Sequence, residues 1–265
     1  MNWTNELPAP LLPFIDRFLA TERACIRLQI KDTAPSHRWQ SAIGSLQYWP
    51  VAETWPVDEN GRPLFGLIQL NLAELPPLEP FPSHGILQFF VTDDAFWGAN
   101  PIAPHRQDNF RVIYHDDPDP ASTPLVEDFS FLPAFEDLPL QRDLCLAIAG
   151  QTGTMLLPPD DYRFDEELGD IFHDLGDEKW EVLRAYRKAI GTVGHRLGGY
   201  AAFAQEDPRS ENDDDTLELL LQLDTDPAIG LLWGDYGVAH WLYKSIPELL
   251  STIDFNQIWY GWESN

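Results

Sequence analysis

Seven histidines, two cysteines and a dense set of carboxylates are the residues able to do chemistry in this chain. The histidines stand at 37, 84, 105, 115, 173, 195 and 240, without HxH or HExxH spacing, so no zinc-hydrolase signature is present. The richest polar set is His195, Arg196, Gln205, Glu206, Arg209, Asp224 and Asp235, inside an otherwise apolar stretch. A histidine among carboxylates is an acid–base set, and converging arginine, amide and acid groups can line a small-ligand site. These seven are the ligand-site candidates. No catalytic residue is assigned, because GxSxG, GxGxxG and GxxxxGK[ST] are all absent and spacing alone sets no geometry.

Two acidic runs form a second set. Asp116, Asp117 and Asp119 follow His115, and Asp213, Asp214 and Asp215 precede Asp224 and Asp226. Such oxygens suit a hard cation, yet the mid-loop Gly and closing Glu of an EF-hand are missing. No metal is assigned, and the six acids are read as partner-binding candidates on a solvated surface. Cys25 and Cys145 are far apart and flanked by apolar residues, which reads as two buried free thiols. No cofactor is expected.

Elements must position these residues. Leu11, Phe14, Ile15, Phe18 and Leu19 keep helical spacing, predicting a helix over 11–24, and Ile26, Leu28 and Ile30 then alternate as in a strand. Short apolar runs at 64–72, 86–92, 110–115, 218–224, 229–233, 237–243 and 256–262 read as strands. Residues 116–143 read as a Pro- and Asp-rich connector, and 160–175 and 177–191 as helices. In the second helix Trp180, Leu183, Tyr186 and Ile190 form the apolar stripe.

The chain also echoes itself. Ser41–Gly44 matches His195–Gly198, Leu67–Leu70 matches Leu220–Leu223, and Gly85–Phe90 matches Gly237–Leu242. Gly44 and Gln69 are 25 positions apart, and Gly198 and Gln222 are 24 apart. This predicts a duplicated unit, 38–115 and 192–262, joined by an acidic loop and helical segment at 116–191. A glutamine inside each apolar strand needs partners, and backbone satisfaction at the junction of the copies is the expected role. The fold expected is α+β: two related, mainly antiparallel β units with flanking helices, packed as one compact body and one domain over 1–265.

These residues resemble the YwqG-like family, a bacterial group of unknown function. The likeness runs through Ser41–Gly44, Trp55-Pro56, Phe81–Gly85, His195–Tyr200, Gln205–Arg209, Leu220–Asp224, Trp233–Gly237 and Phe255–Trp262. Ser45 departs from it, where the family has a second glycine. The resemblance implies an intracellular bacterial protein with no transferable catalytic activity. It also implies a toxin-immunity or toxin-associated context.

Charge narrows the partners. The net charge is −26, and residues 116–265 carry −22 of it, from 31 acids and 9 bases. Such a chain repels nucleic acid and anionic membranes. It has no signal-peptide pattern and no membrane-length apolar run, so the cytoplasm is the expected compartment. An acidic face steers and masks a basic protein such as a toxin. The expectation is therefore a non-enzymatic protein-binding module. The alternative is a small-ligand binder or enzyme with a polar site between the two units.

Overall fold

Apolar runs bounded by Pro, Gly and Asp become the strands that carry this molecule. The computed structural model describes residues 6–45, 48–211, 217–245 and 253–264, without the side chains of 210 and 211. The strands are β1 Arg23–Ile30, β2 Ala42–Ile43, β3 Phe65–Asn71, β4 Ile86–Val91 and β5 Phe110–His115. Next come β6 Leu146–Met155, β7 Arg196–Gly198, β8 Leu217–Asp224, β9 Val238–Lys244 and β10 Ile258–Glu263. They form one antiparallel sheet in the order β10-β9-β8-β7-β1-β6-β2-β3-β4-β5.

The centre of the sheet is the pair β1–β6, in register from Arg23↔Met155 to Ile30↔Ile148. Four strands extend from each side as arms. In one arm Ala42 pairs with Gln69, Gln69 with Gln88, and a bulge falls between Gly66 and Ile68. In the other Arg196 pairs with Gln222, Gln222 with His240, and a bulge falls between Leu219 and Leu221.

The arms face one another over a shared core. Phe89 meets Trp241 at 5.3 Å between ring centroids, Phe110 meets Tyr260 at 5.1 Å and Tyr114 meets Phe255 at 4.9 Å. The Tyr260 amide donates to the Pro104 carbonyl at 2.9 Å, tying the β4–β5 loop to β10. All six residues of β4 are buried, so both faces of that strand are covered, and its apolar pattern is interrupted by Gln88.

Helices gather in one layer, which makes the class α+β with sheet predominating. They are α1 Ile15–Ala20, α2 Phe164–Glu167, α3 Gly169–His173 and α4 Lys179–Ile190. Phe18, Phe164, Phe172 and Tyr186 pack together with Cys25 and Met155, forming a second core between this layer and β1–β6. Gly191, left-handed at φ +63°, ends α4 as a C′ glycine does. Among the described residues no helix is long and apolar enough to cross a membrane.

Several elements differ from expectation. The helix over 11–24 is a 3₁₀ segment, Ala9–Phe14, followed by the short α1, and β1 begins at Arg23. The backbone from Arg23 onward is claimed by pairing with β6, so the helix stops at Ala20. Residues 229–233 make a turn with one isolated pairing, Asp226↔Leu231. In α4 the buried set is Val182, Tyr186, Ala189 and Ile190, and Trp180 points to solvent, so the stripe is rotated. The segment 116–191, read as loop and helix, also contains β6 at the centre of the sheet. Its sequence, LAIAGQTGTM, lacks bulky alternation. Gly150 is small because a Cβ there would lie 2.6 Å from Leu75 Cδ2 and 2.9 Å from Ile26 Cγ2.

Candidate functional site

Each arm is organised by a buried glutamine. Gln69 Nε2 donates to the carbonyls of Gln40 (2.9 Å) and Arg38 (3.1 Å), and its Oε1 accepts from Gln88 Nε2 (2.9 Å) and the Tyr48 amide (3.4 Å). Gln222 Nε2 donates to the carbonyls of Gly194 (3.1 Å) and Thr192 (3.5 Å), and its Oε1 accepts from Arg196 Nη2 (2.6 Å) and the Ala202 amide (3.0 Å). Both amides satisfy the backbone on either side of a short strand, within each arm rather than at a junction.

Of the seven ligand-site candidates, His195, Arg196 and Asp224 meet around Gln222. His195 Nδ1 accepts the Asp224 amide at 3.2 Å, so its proton sits on Nε2, which faces Asp226 Oδ2 at 3.5 Å. Burial pushes the His195 pKa down despite Asp226. Asp224 accepts the Gly194 amide at 2.8 Å. Arg196 is fully enclosed and donates to the Thr192 and Tyr200 carbonyls at 2.8 and 3.0 Å. Burial lowers its pKa to about 10.

The other four lie elsewhere. Gln205 Nε2 donates to the Ser264 carbonyl at 2.6 Å, and Glu206 and Asp235 are exposed. Arg209 is only 1% exposed and belongs to a buried ion network. Its Nη2 meets Asp207 at 2.7 Å and Asp161 at 2.8 Å, while Arg163 joins Asp161 (2.7 Å) to Glu218 (2.9 Å) and Arg23 reaches Glu218 at 2.6 Å. Burial opposes ionisation of Asp161, but Arg163 and Arg209 outweigh it and hold its carboxyl below the usual range. This network ties the turn before α2 to the start of β8. Removing one member would leave a buried charge unpaired, which makes it a structural staple.

Two clefts open among the described residues, and none of the seven candidates lines either one. One, of about 430 Å³, is bounded by Arg23, Leu78, Phe81, Gly198, Glu218 and Tyr243. The other, of about 600 Å³, is bounded by Arg38, Ser45, Trp55, Phe65, Phe129 and Arg142. Ser45 (φ +35°) sits left-handed beside the second cleft, as Gly199 (φ +76°) does beside the first.

Asp116, Asp117 and Asp119 are exposed. The Asp119 carboxylate accepts the Ser122 hydroxyl and the amides of Ala121 and Ser122, and these bonds lower its pKa. Asp213, Asp214 and Asp215 lie outside the described residues. Among the described residues no cluster of three His, Cys, Asp or Glu side chains is placed to hold a metal ion.

The helical layer presents a further acidic surface. Asp165, Glu166, Glu167, Asp174, Asp177, Glu178 and Glu181 are exposed there, and Trp180, 67% exposed, stands among them. Sequence reasoning set Trp180 in the core. The run Asp-Glu-Lys-Trp-Glu at 177–181 was the available signal, since acids on both sides of an aromatic residue mark a solvated turn.

No curated protein matches the chain. One family model does, over residues 41–264, a span that takes in both arms, β6 and the helical segment between them. The chain therefore belongs to the family described as Domain of unknown function (DUF1963).

Proposed function

We propose that the protein is a non-enzymatic protein-binding module whose acidic surface holds a basic protein, with toxin neutralisation as its most specific form. The observation that carries this reading is the division of charge. The buried arginines and carboxylates of the Arg209 network are paired with one another, whereas the acids over 165–181 face solvent around an exposed Trp180. Buried charge of that kind holds the fold, and exposed like charge steers an oppositely charged partner. An intracellular bacterial setting and membership of the YwqG-like group belong to the same proposal, on the residue likeness given above. So does a duplication, for which the matched registers and glutamine bonds of the two arms are the support. In the alternative reading, a small-ligand protein or enzyme, the two clefts would serve as the site.

The test is association kinetics with a basic partner captured from the native organism. Neutralising Glu166, Glu167, Asp177 and Glu178 to amides is expected to lower the association rate about tenfold at low salt, with the difference fading as salt rises. Neutralising Asp116, Asp117 and Asp119, or Asp213, Asp214 and Asp215, measures the other acidic segments in the same way. An association rate indifferent to all these changes and to ionic strength would remove the proposal.

A further inference from the structure

Two aromatic residues have left-handed backbones, Trp97 at φ +48° and Tyr236 at φ +53°. For a bulky side chain this region is sterically costly, and such outliers gather at functional sites. The two residues lie on loops from opposite arms, and the loops meet. Trp97 packs against Trp262 at 4.6 Å and against Trp233 at 5.4 Å. Trp262 Nε1 donates to the Phe96 carbonyl at 2.8 Å. A Cβ on Gly234 would lie 3.2 Å from the Trp262 ring. Trp97 and Trp262 are thus the half-buried backing of one surface. Phe96, 62% exposed, and Tyr236, 72% exposed, lie on the same loops. Packing accounts for the conformation of Trp97, whose ring is held on two sides. It does not account for Tyr236, whose ring is mostly in solvent.

Carboxylates predominate on this surface, and Arg62 is paired with Asp93 at its edge. Asp137 accepts from Trp97 Nε1 at 3.4 Å, and Glu136, Asp137 and Asp235 are exposed. The segments 93–98, 132–139, 225–237 and 258–264 contain no lysine or arginine. An apolar partner would strip water from these carboxylates without replacing it, and an anion would be repelled. A cation is attracted both by the carboxylates and by the electron-rich ring faces. A planar guanidinium serves both better than a compact ammonium, because it stacks on rings while forking to oxygen.

We infer that the surface formed by Phe96, Trp97, Tyr236 and Trp262, with Asp137 and Asp235 beside it, binds an arginine-bearing basic segment of a protein partner. It uses different residues from the acidic helical layer and shares with the proposed function only the sign of the partner's charge.

The experiment uses the full chain, with short oligoarginine and oligolysine peptides of equal length as probes and tryptophan emission as the readout. Oligoarginine is expected to shift the emission saturably and to bind more tightly than oligolysine. Phe96→Ala and Asp235→Asn should each weaken it several-fold, while amides in place of Glu166, Glu167, Asp177 and Glu178 leave it within about twofold. Tyr236→Gly is the decisive variant. It should weaken oligoarginine about tenfold while raising the thermal midpoint by about 2 °C, because glycine relieves the left-handed backbone. If Tyr236→Gly and Phe96→Ala bind as the parent does, or if the helical amides alone abolish binding, the inference fails and attraction is diffuse. A surface that answers oligoarginine no better than oligolysine also overturns it. So does a Tyr236→Gly variant whose only change is lost self-association in sedimentation, which would make the occupant a second copy.

Discussion

Arg196 shows how much one residue can hold. It is enclosed in the second arm, and its guanidinium donates to carbonyls and to Gln222 Oε1. Replacing it with methionine fills space but leaves those acceptors unpaired, so Arg196→Met should cost about 2–4 kcal/mol in urea unfolding. The same charge acts on His240, whose Nε2 lies 3.1 Å from the Ala202 carbonyl. Burial, and then Arg196, depress the His240 pKa to about 3. A depressed histidine favours the native state while neutral. The contribution of His240 to stability is therefore full above pH 6.5 and falls as pH drops toward about 3, by about 1.4 kcal/mol per unit where the unfolded histidine is protonated and the folded one is not. Denaturant titrations of the parent and a His240→Gln variant check this, and the variant should lose that part of the slope. The glutamines at the heart of both arms were legible as residues needing partners, since an amide inside an apolar strand has to be satisfied. Their partners were not, because those are carbonyls up to about 31 positions away in the chain.

At the scale of elements, strands dominated by apolar residues were legible, as β3, β4 and β9 illustrate. The central strand β6 was not. Its glycines weaken any strand signal, yet they are demanded by what crosses it. Gly150→Ala drives a Cβ onto Leu75 and Ile26 inside the core and should destabilise by about 1–3 kcal/mol. Gly153→Ala, whose Cβ would come nearest to the Arg27 side chain at 2.8–3.2 Å, should cost less, because that half-exposed arm can move aside. Thermal melts of the two variants side by side test whether close packing, rather than strand propensity, selects these glycines. The rotation of α4 has a similar origin. Trp180, Leu183, Tyr186 and Ile190 satisfy the helical period, but the face that packs is chosen by Phe18, Phe164 and Phe172.

At the scale of the whole molecule, charge opposes folding and the shared core sustains it. A net charge of −26 repels itself most strongly when counter-ions are few. Raising ionic strength from about 10 mM to about 150 mM shortens the screening length from about 30 Å to about 8 Å. The thermal midpoint should therefore rise by about 2–4 °C over that range, and calorimetry with a non-coordinating salt reads it directly. The sequence by itself determined the acid excess, its concentration after residue 116, most of the strands and the spacing shared by two stretches, because these depend only on composition and local period. The tertiary structure alone decided which polar groups meet. Asp161 pairs with Arg209 and Phe89 packs on Trp241, while of the seven polar candidates His195, Arg196 and Asp224 meet and the other four lie elsewhere. The reason is physical: whether a charge or an amide is buried, paired or left in water depends on distance and desolvation in three dimensions, and residue order does not encode either one locally.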